Sequence, residues 1–104
     1  MLIDVTTKYT KGRVALSFPC YQDGGAAIIG DDPTTSERLY VATVNLEIPA
    51  DEGCVWLKGW SENEGIPEAL VEAGVVELTG RTRQAGYCEA VEAKLSDAAL
   101  EEAS

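Results

Sequence analysis

Histidine is absent from this chain of 104 residues. The sequence therefore lacks the side chain that most often acts as a general base near neutral pH and most often ligates metals. It also contains no nucleophile motif and no glycine-rich cofactor loop. Carboxylates alone would have to carry out all of the acid–base chemistry of an enzyme. We therefore expect a protein with no catalytic activity, no catalytic residues and no cofactor.

The chain is also poor in cysteine, with Cys20, Cys54 and Cys88 as its three thiols. An odd number of widely spaced cysteines does not build a disulfide framework, and the lack of a Cys-x-x-Cys pair argues against zinc. We predict reduced, mostly buried thiols. Asp31-Asp32 lacks the spacing of a calcium loop, so we predict no metal site and interpret residues 31–35 as a solvated connecting loop.

Long hydrophobic runs are missing as well. The first five residues form an apolar run that Asp4 interrupts, and no basic segment precedes them. A signal peptide begins with a basic segment, and a membrane-spanning helix needs about 20 apolar residues. We therefore expect neither feature, and we expect a cytoplasmic protein.

Positive charge is scarce: 18 acidic residues face eight basic ones, which gives a formal net charge of -10. Residues 51–104 carry twelve of the acids and four of the bases, a net of -8, whereas residues 1–50 carry a net of -2. Nucleic acid and anionic lipid would repel such a chain, so we expect no direct contact with nucleic acid or membrane. The expected partner is a basic protein surface.

Period-2 alternation is clearest at residues 39–48, which predicts a half-buried strand with alternate residues on one face. That predicted face contains Tyr40, Ala42, Val44, Leu46 and Ile48, with Thr43, Asn45 and Glu47 opposite. We predict shorter strands around residues 3–7, 13–18, 26–29, 54–58, 75–78 and 87–94. Gly24-Gly25 is typical of a hairpin turn between two of them.

Helical spacing replaces this alternation at Ile66, Ala69, Leu70 and Ala73, which predicts a helix over residues 66–73. Its ends are expected at Pro67 as the first helical residue and Gly74 just beyond the last turn. A second, short helix is expected to follow Ser96 as its N-cap. No linker divides the chain, so we predict one α+β domain over residues 1–104. It would be mainly an antiparallel sheet with one central helix packed on it and a short C-terminal helix.

The strongest functional candidate is the acidic stretch of Glu62, Glu64, Glu68 and Glu72, with Trp60 just before it. Glu68 and Glu72 lie four residues apart, and like charges at that spacing repel and mildly destabilise a helix. Carboxylates about 5 to 6 Å apart on a helix also approximate the spacing of phosphates along a nucleic-acid strand. This pattern predicts a partner-binding surface, with a merely solvated helix face as the alternative. Trp60 is a candidate apolar anchor, with a lid over the core as its alternative.

A second candidate is the segment 80–86, where Arg81 and Arg83 flank Thr82. Two guanidinium groups on a flexible glycine-containing loop could bind an anion. A plain turn that joins two strands is the interpretation that the pattern favours.

Four segments of the C-terminal half carry a resemblance to a known family: residues 54–58, residues 67–74, Thr79-Gly80-Arg81 and Gly86-Tyr87-Cys88. They contain a helix that starts with proline and ends in glycine, a Thr-Gly-Arg turn and a Gly-aromatic-Cys step. In these motifs the chain resembles a family of short acidic proteins of unknown function encoded on mobile elements of Gram-positive bacteria. The resemblance implies a genetic setting in which small acidic proteins inhibit host defence nucleases, as anti-CRISPR and anti-restriction proteins do.

Two hypotheses for the function follow. The first is a non-enzymatic acidic module that binds a basic protein, with a nucleic-acid-mimicking inhibitor of a host defence nuclease as its specific form. The second is a small accessory or ligand-binding domain whose acidity only supports solubility. Salt distinguishes them, because a complex driven by charge loses affinity as ionic strength rises.

Overall fold

The computed structural model describes residues 1–20, 26–44, 46 and 50–103, and gives only the backbone of Glu62. Four antiparallel strands form the first sheet, in the order β1-β2-β3-β4. They are β1 (Leu2–Thr6), β2 (Lys11–Ser17), β3 (Ile29–Asp31) and β4 (Arg38–Val41). Along β1, Ile3 and Val5 are buried while the residues between them are exposed. This alternation gives the sheet one core-facing surface.

Three further antiparallel strands form a second sheet in the order β5-β7-β6. They are β5 (Cys54–Leu57), β6 (Val76–Ala85) and β7 (Cys88–Leu95). The chain beyond β4 connects the sheets, because Thr43 forms an antiparallel bridge with Leu57 of β5. Buried side chains of both sheets pack into one hydrophobic core. The α+β class is confirmed, but the prediction of a single sheet is wrong.

The helix α1 (Ile66–Glu72) lies where the two sheets meet, in contact with both β1 and β6. Ile66 and Leu70 are buried as predicted, whereas Ala73 is exposed because the helix ends before it. Pro67 is the second helical residue rather than the first, since Gly65 is the N-cap. Gly65 has a φ of +86°, and a Cβ there would lie 3.2 Å from the Thr7 side chain. Glycine therefore lets the chain pass close to β1 as the helix begins.

The second helix, α2 (Asp97–Ala103), begins as the sequence predicts. The Ser96 hydroxyl accepts a hydrogen bond from the Ala99 backbone N–H at 3.2 Å. This contact satisfies one of the free N–H groups of the first turn. Ala99 is buried and packs in the core, so α2 covers the end of the second sheet near β7.

The strand predicted over residues 39–48 is shorter in the structure, where β4 ends at Val41. Thr43, which the alternation placed on the outer face, is only 2% exposed. Its hydroxyl accepts the Ile28 backbone N–H at 3.2 Å, so its burial is satisfied by a hydrogen bond. Of the remaining predicted strand residues, Asn45, Glu47 and Ile48 lie outside the described residues, as does the predicted Gly24-Gly25 turn.

The strand predicted at residues 26–29 is displaced to Ile29–Asp31. The observed strand contains Gly30, which pairs with Tyr40 across the sheet. A Cβ at Gly30 would lie 2.5 Å from Cζ of Tyr40, so the aromatic ring packs over the glycine backbone. Glycine here marks a close approach between strands rather than a strand end. The loop predicted over residues 31–35 begins one residue later, because Asp31 belongs to β3, and the Asp32 carboxylate accepts the Thr34 and Thr35 N–H groups.

The turn predicted at residues 80–86 is wrong, because residues 80–85 belong to β6. The pairing of β6 with β7 shifts between Leu78 and Thr82, where a bulge accommodates Gly80 at a φ of +92°. The real turn is Gly86-Tyr87, a two-residue loop between the paired residues Ala85 and Cys88. Gly86 has a φ of +64°, as the first position of a tight hairpin turn requires.

Candidate functional site

Two contacts anchor the loop that precedes α1 and contains Trp60. The first is steric: Gly59 lies so close to Pro67 that a Cβ would sit 3.2 Å from its ring. The second is polar: the buried Asn63 side chain donates from Nδ2 to the Val41 carbonyl oxygen at 2.7 Å. Together they tie a 3-10 turn, Ser61–Asn63, to the end of β4 and to the start of α1. Trp60 caps this turn and is half-buried.

The predicted acidic residues follow this loop. Glu64 ends the 3-10 turn and is exposed, and Glu68 and Glu72 are exposed on α1. One helical turn separates the latter two, a rise of about 6 Å. The side chain of Glu62 lies outside the described residues. We call Glu64, Glu68 and Glu72 the acidic face.

The acidic face carries negative charge without local compensation. Residues 59–80 contain five glutamates and no lysine or arginine. Other acids are paired in the structure: ion pairs join Asp4 to Arg13, Asp31 to Arg38, and Arg81 to both Asp51 and Glu92. Within the part of the chain that the structure describes, no acid of the acidic face has an ion-pair partner. These carboxylates are therefore available to a basic partner.

Two clefts divide the predicted site residues. Trp60 and Glu68 share a cleft of about 400 Å³ between the start of α1 and the β6–β7 hairpin. Glu72 lines a different cleft, between α1 and β1, with Asp4 among its neighbours. The structure thus brings Trp60 and Glu68 together, whereas Glu72, one turn further along α1, borders a separate cleft.

The far side of the first cleft consists of residues that sequence analysis did not assign to a site. They are Leu78 of β6 and Cys88, Glu89 and Val91 of β7. Leu78 is 46% exposed, which is unusual for a large apolar side chain in a strand. In the sequence, the alternation of Glu89 and Val91 with Ala90 indicates that Glu89 and Val91 share one face of a strand. Only the tertiary fold brings that face to Trp60.

Arg81 of the second candidate is already engaged in the structure. Its Nη1 donates to Oδ2 of Asp51 at 2.6 Å and lies 3.4 Å from Oε2 of Glu92. The hydrogen bond to Asp51, together with the negative charges of Asp51 and Glu92, raises the pKa of Arg81 above its ordinary value. Arg81 therefore neutralises internal carboxylates, which weakens the anion-site hypothesis.

Glu92 is the centre of this group and is only 1% exposed. Its Oε1 accepts the Thr79 hydroxyl at 2.7 Å, and its Oε2 accepts the Asp51 backbone N–H at 3.2 Å. The bulge in β6 brings Thr79 and Arg81 to this carboxylate. A buried carboxylate with a cation and two hydrogen bonds is a satisfied structural group.

The cysteines differ from the prediction in their exposure. Cys20 is exposed, and Cys54 and Cys88 are half-buried, and all three are free thiols. Partial burial raises the pKa of the Cys54 thiol, and the negative charges of Glu92 and Asp51 raise it further. A raised pKa makes the thiolate scarce at neutral pH, so Cys54 is not an activated nucleophile.

No three cysteine, aspartate or glutamate side chains converge on a metal-sized site within the described ranges 1–20, 26–44 and 50–103. In the same part of the chain, no helix has the length and apolar character to cross a membrane.

The geometry defines a small α+β domain with two antiparallel sheets and an acidic, partly apolar cleft at one end of α1. No family model, curated protein or solved structure matches this chain. The resemblance to acidic proteins of mobile elements therefore stays a prediction.

Proposed function

We propose that this chain is a non-enzymatic protein-binding module that presents the acidic face, with Trp60 beside it, to a basic surface of another protein. The observation that carries the proposal is the contrast in pairing between acids. Arginines neutralise four of the described carboxylates, those of Asp4, Asp31, Asp51 and Glu92, whereas the acidic face is exposed and its segment, residues 59–80, contains no basic residue. Such a surface attracts a cationic partner over a long range and raises its association rate.

The specific form of the proposal is inhibition of a nucleic-acid-binding protein. The helix α1 has seven residues and is therefore about 10 Å long. Its row of carboxylates is short, so it suits one local patch of a basic groove rather than the full length of a bound strand. An inhibitor of this kind would block part of a nuclease groove by occupying a few phosphate subsites.

The test is capture from a host lysate at low and at high salt, with mass spectrometry of the retained proteins. The site variant is Glu68→Lys/Glu72→Lys. The control is Glu37→Lys/Glu52→Lys, which changes two exposed acids outside the acidic face by the same total charge. We expect basic proteins to be retained by the parent and by the control at low salt, released at high salt, and lost from the site variant.

Equal capture by parent and site variant would contradict the proposal and favour the solubility alternative. Retained proteins that bind nucleic acid provide a second measurement. The purified partner should lose binding or cleavage of its nucleic acid when the parent protein is added, and keep it when the site variant is added. A partner with no affinity for nucleic acid would agree with the protein-binding proposal but contradict the proposal that the chain inhibits a nucleic-acid-binding protein.

A further inference from the structure

The cleft beside Trp60 exists because the β6–β7 hairpin extends beyond the elements that cover it. β6 has ten residues, about 30 Å of strand, whereas α1 is about 10 Å long. β5 pairs with β7 from Lys94 to Val91, so the hairpin beyond Val91 protrudes past the edge of β5. Where the protruding part begins, Val91 pairs with Leu57 at the end of β5 and is half-buried. Leu78 of the outer strand β6 is 46% exposed, so this end of the sheet is only partly covered.

The lining of this cleft combines an apolar interior with acidic groups. Trp60 and Pro67 lie on the helix side, and Leu78 and Val91 lie on the sheet side. Two carboxylates complete the lining, Glu68 of the helix and Glu89 of the hairpin. Both are exposed, and neither pairs with a basic residue that the structure describes. The cleft therefore offers an aromatic ring, aliphatic side chains and negative charge, and its lining contains no positive charge.

We infer that this cleft receives an arginine side chain of the basic partner, an inference that rests on the proposed function. An arginine has an aliphatic stem that packs on apolar walls and a planar cationic head that stacks on tryptophan. The same head forms bidentate hydrogen bonds with carboxylates. Each part of the side chain thus finds its complement in a different part of the lining.

Other occupants fit the lining less well. An anionic group would meet Glu68 and Glu89, and a purely apolar side chain would leave both carboxylates unused while it approached them. A lysine would satisfy the charge but lacks the planar head that stacks on an indole and spans two oxygens. The inference therefore names arginine, and lysine and apolar side chains become controls.

The probe is the blocked tripeptide acetyl-Gly-Arg-Gly-amide, added to the whole isotope-labelled protein and followed by NMR. Three matched peptides replace arginine by citrulline, lysine or norleucine. Citrulline keeps the shape of arginine and removes its charge. The two tryptophans give an internal comparison, because Trp56 is buried and Trp60 lines the cleft.

We expect saturable shifts at the Trp60 indole N–H and at the Glu89 and Leu78 amides, with the Trp56 indole unchanged. The citrulline peptide should bind about tenfold more weakly, as the loss of one charge-assisted contact to a stacked cation predicts. Glu89→Gln should weaken the arginine peptide, whereas Glu37→Gln, at an exposed acid elsewhere, should not. Both substitutions are at exposed positions, and a preserved amide spectrum shows that the variants fold.

The absence of a saturable shift at Trp60 would overturn the inference. Equal binding of the norleucine or citrulline peptide would overturn it as well, because the carboxylates would then play no part. If the peptide fails but Glu68→Lys/Glu72→Lys still loses partner capture, the cleft inference is wrong and the proposed function stands. If the peptide binds as expected but Glu68→Lys/Glu72→Lys captures the partner as well as the parent does, the proposed function is wrong. The cleft would then bind arginine, but not as part of that function.

Discussion

The molecule contains two groups of acids that differ in whether the fold supplies each carboxylate with a cation. In one group, Asp51 and Glu92 share Arg81, and Glu92 is buried on β7 opposite the bulge of β6. In the other, Glu68 and Glu72 stand on the outer side of α1, exposed and without an ion-pair partner among the described residues. The first group holds the second sheet together, and the second adds repulsion to a short helix.

This difference separates structural acids from candidate binding acids. Net charge alone does not do it, because both groups lie in the acidic half of the chain. What distinguishes them is whether the fold supplies a cation and hydrogen bonds to each carboxylate.

The largest loss of stability is expected from a carboxylate placed on the buried side of α1. Leu70 is fully buried, so Leu70→Asp both removes apolar packing and buries an unpaired charge. We expect a loss of at least about 3 kcal/mol in the free energy of unfolding, measured by urea denaturation. Val71→Asp is the matched control at the neighbouring exposed position and should change stability by less than about 1 kcal/mol. Similar free energies of unfolding for the two variants would show that Leu70 does not pack in the core.

The second effect concerns the buried carboxylate itself. Glu92→Gln keeps the size of the side chain but replaces one acceptor oxygen by an NH₂ group that faces hydrogen-bond donors. We expect a loss of about 1 to 3 kcal/mol, the range for hydrogen bonds to charged groups. The same change at exposed Glu68 should lie within about 0.5 kcal/mol of the parent. If Glu68→Gln destabilises the protein as much as Glu92→Gln does, the contrast between the two groups of acids is wrong.

Much of the local structure could be predicted from the sequence because its signals are local. Apolar spacing and Gly74 fixed the helix over residues 66–73 to within one residue of the observed Ile66–Glu72. Ser96 was identified as a cap because hydroxyl side chains bind free N–H groups at helix starts. Four strands were predicted from short runs of alternating or apolar residues: β1, β2, β5 and β7.

Sheet organisation could not be predicted in the same way. Pairing between distant strands leaves no local mark, so the split into two sheets was missed. The environments of Gly30 and Gly80 are set by distant strand pairing in the same way. Glycine usually signals a turn, whereas here one accommodates the Tyr40 ring and the other sits in a bulge of β6.

The candidate site was predicted only in part, because some of its residues are joined by local spacing and others by tertiary contact. Glu68 and Glu72 share a helix face, which spacing alone reveals. The contact of Trp60 and Glu68 with Glu89 and Leu78 depends on how the hairpin lies against the helix. No pattern in the sequence joins residues of segment 59–68 to those of segment 78–91.

A third prediction uses Tyr40, a buried polar group that lacks the partners Glu92 has. Its hydroxyl forms no hydrogen bond with any group that the structure describes, and burial raises the pKa of Tyr40 to about 12. The ordinary pKa is about 10, so the folded state keeps a proton that the unfolded chain releases between these values. Stability from this group is therefore complete below about pH 10 and falls as the pH rises towards 12.

The measurement is the urea midpoint of the parent and of Tyr40→Phe between pH 8 and pH 11. The parent should lose about 1 kcal/mol more than the variant by pH 11. Near neutral pH the two should agree within about 1 kcal/mol, since the lost hydroxyl has no partner. Tyr87→Phe, at a fully exposed position, is the control. If the stability of the parent and of Tyr40→Phe falls equally as the pH rises, Tyr40 is not the group that causes the pH dependence.

The smallest effect on stability is expected where the effect on binding is largest. Glu68→Lys/Glu72→Lys leaves every described ion pair and hydrogen bond in place, because neither glutamate side chain forms one. Lysine at position 72, in the last turn, is favourable to the helix dipole, while lysine at position 68, in the first turn, is unfavourable by a similar amount. The net change should therefore stay within about 0.5 kcal/mol of the parent in urea denaturation. A loss above about 1 kcal/mol would mean that these acids stabilise the fold as Glu92 does, and the acidic face would then be structural rather than free for a partner.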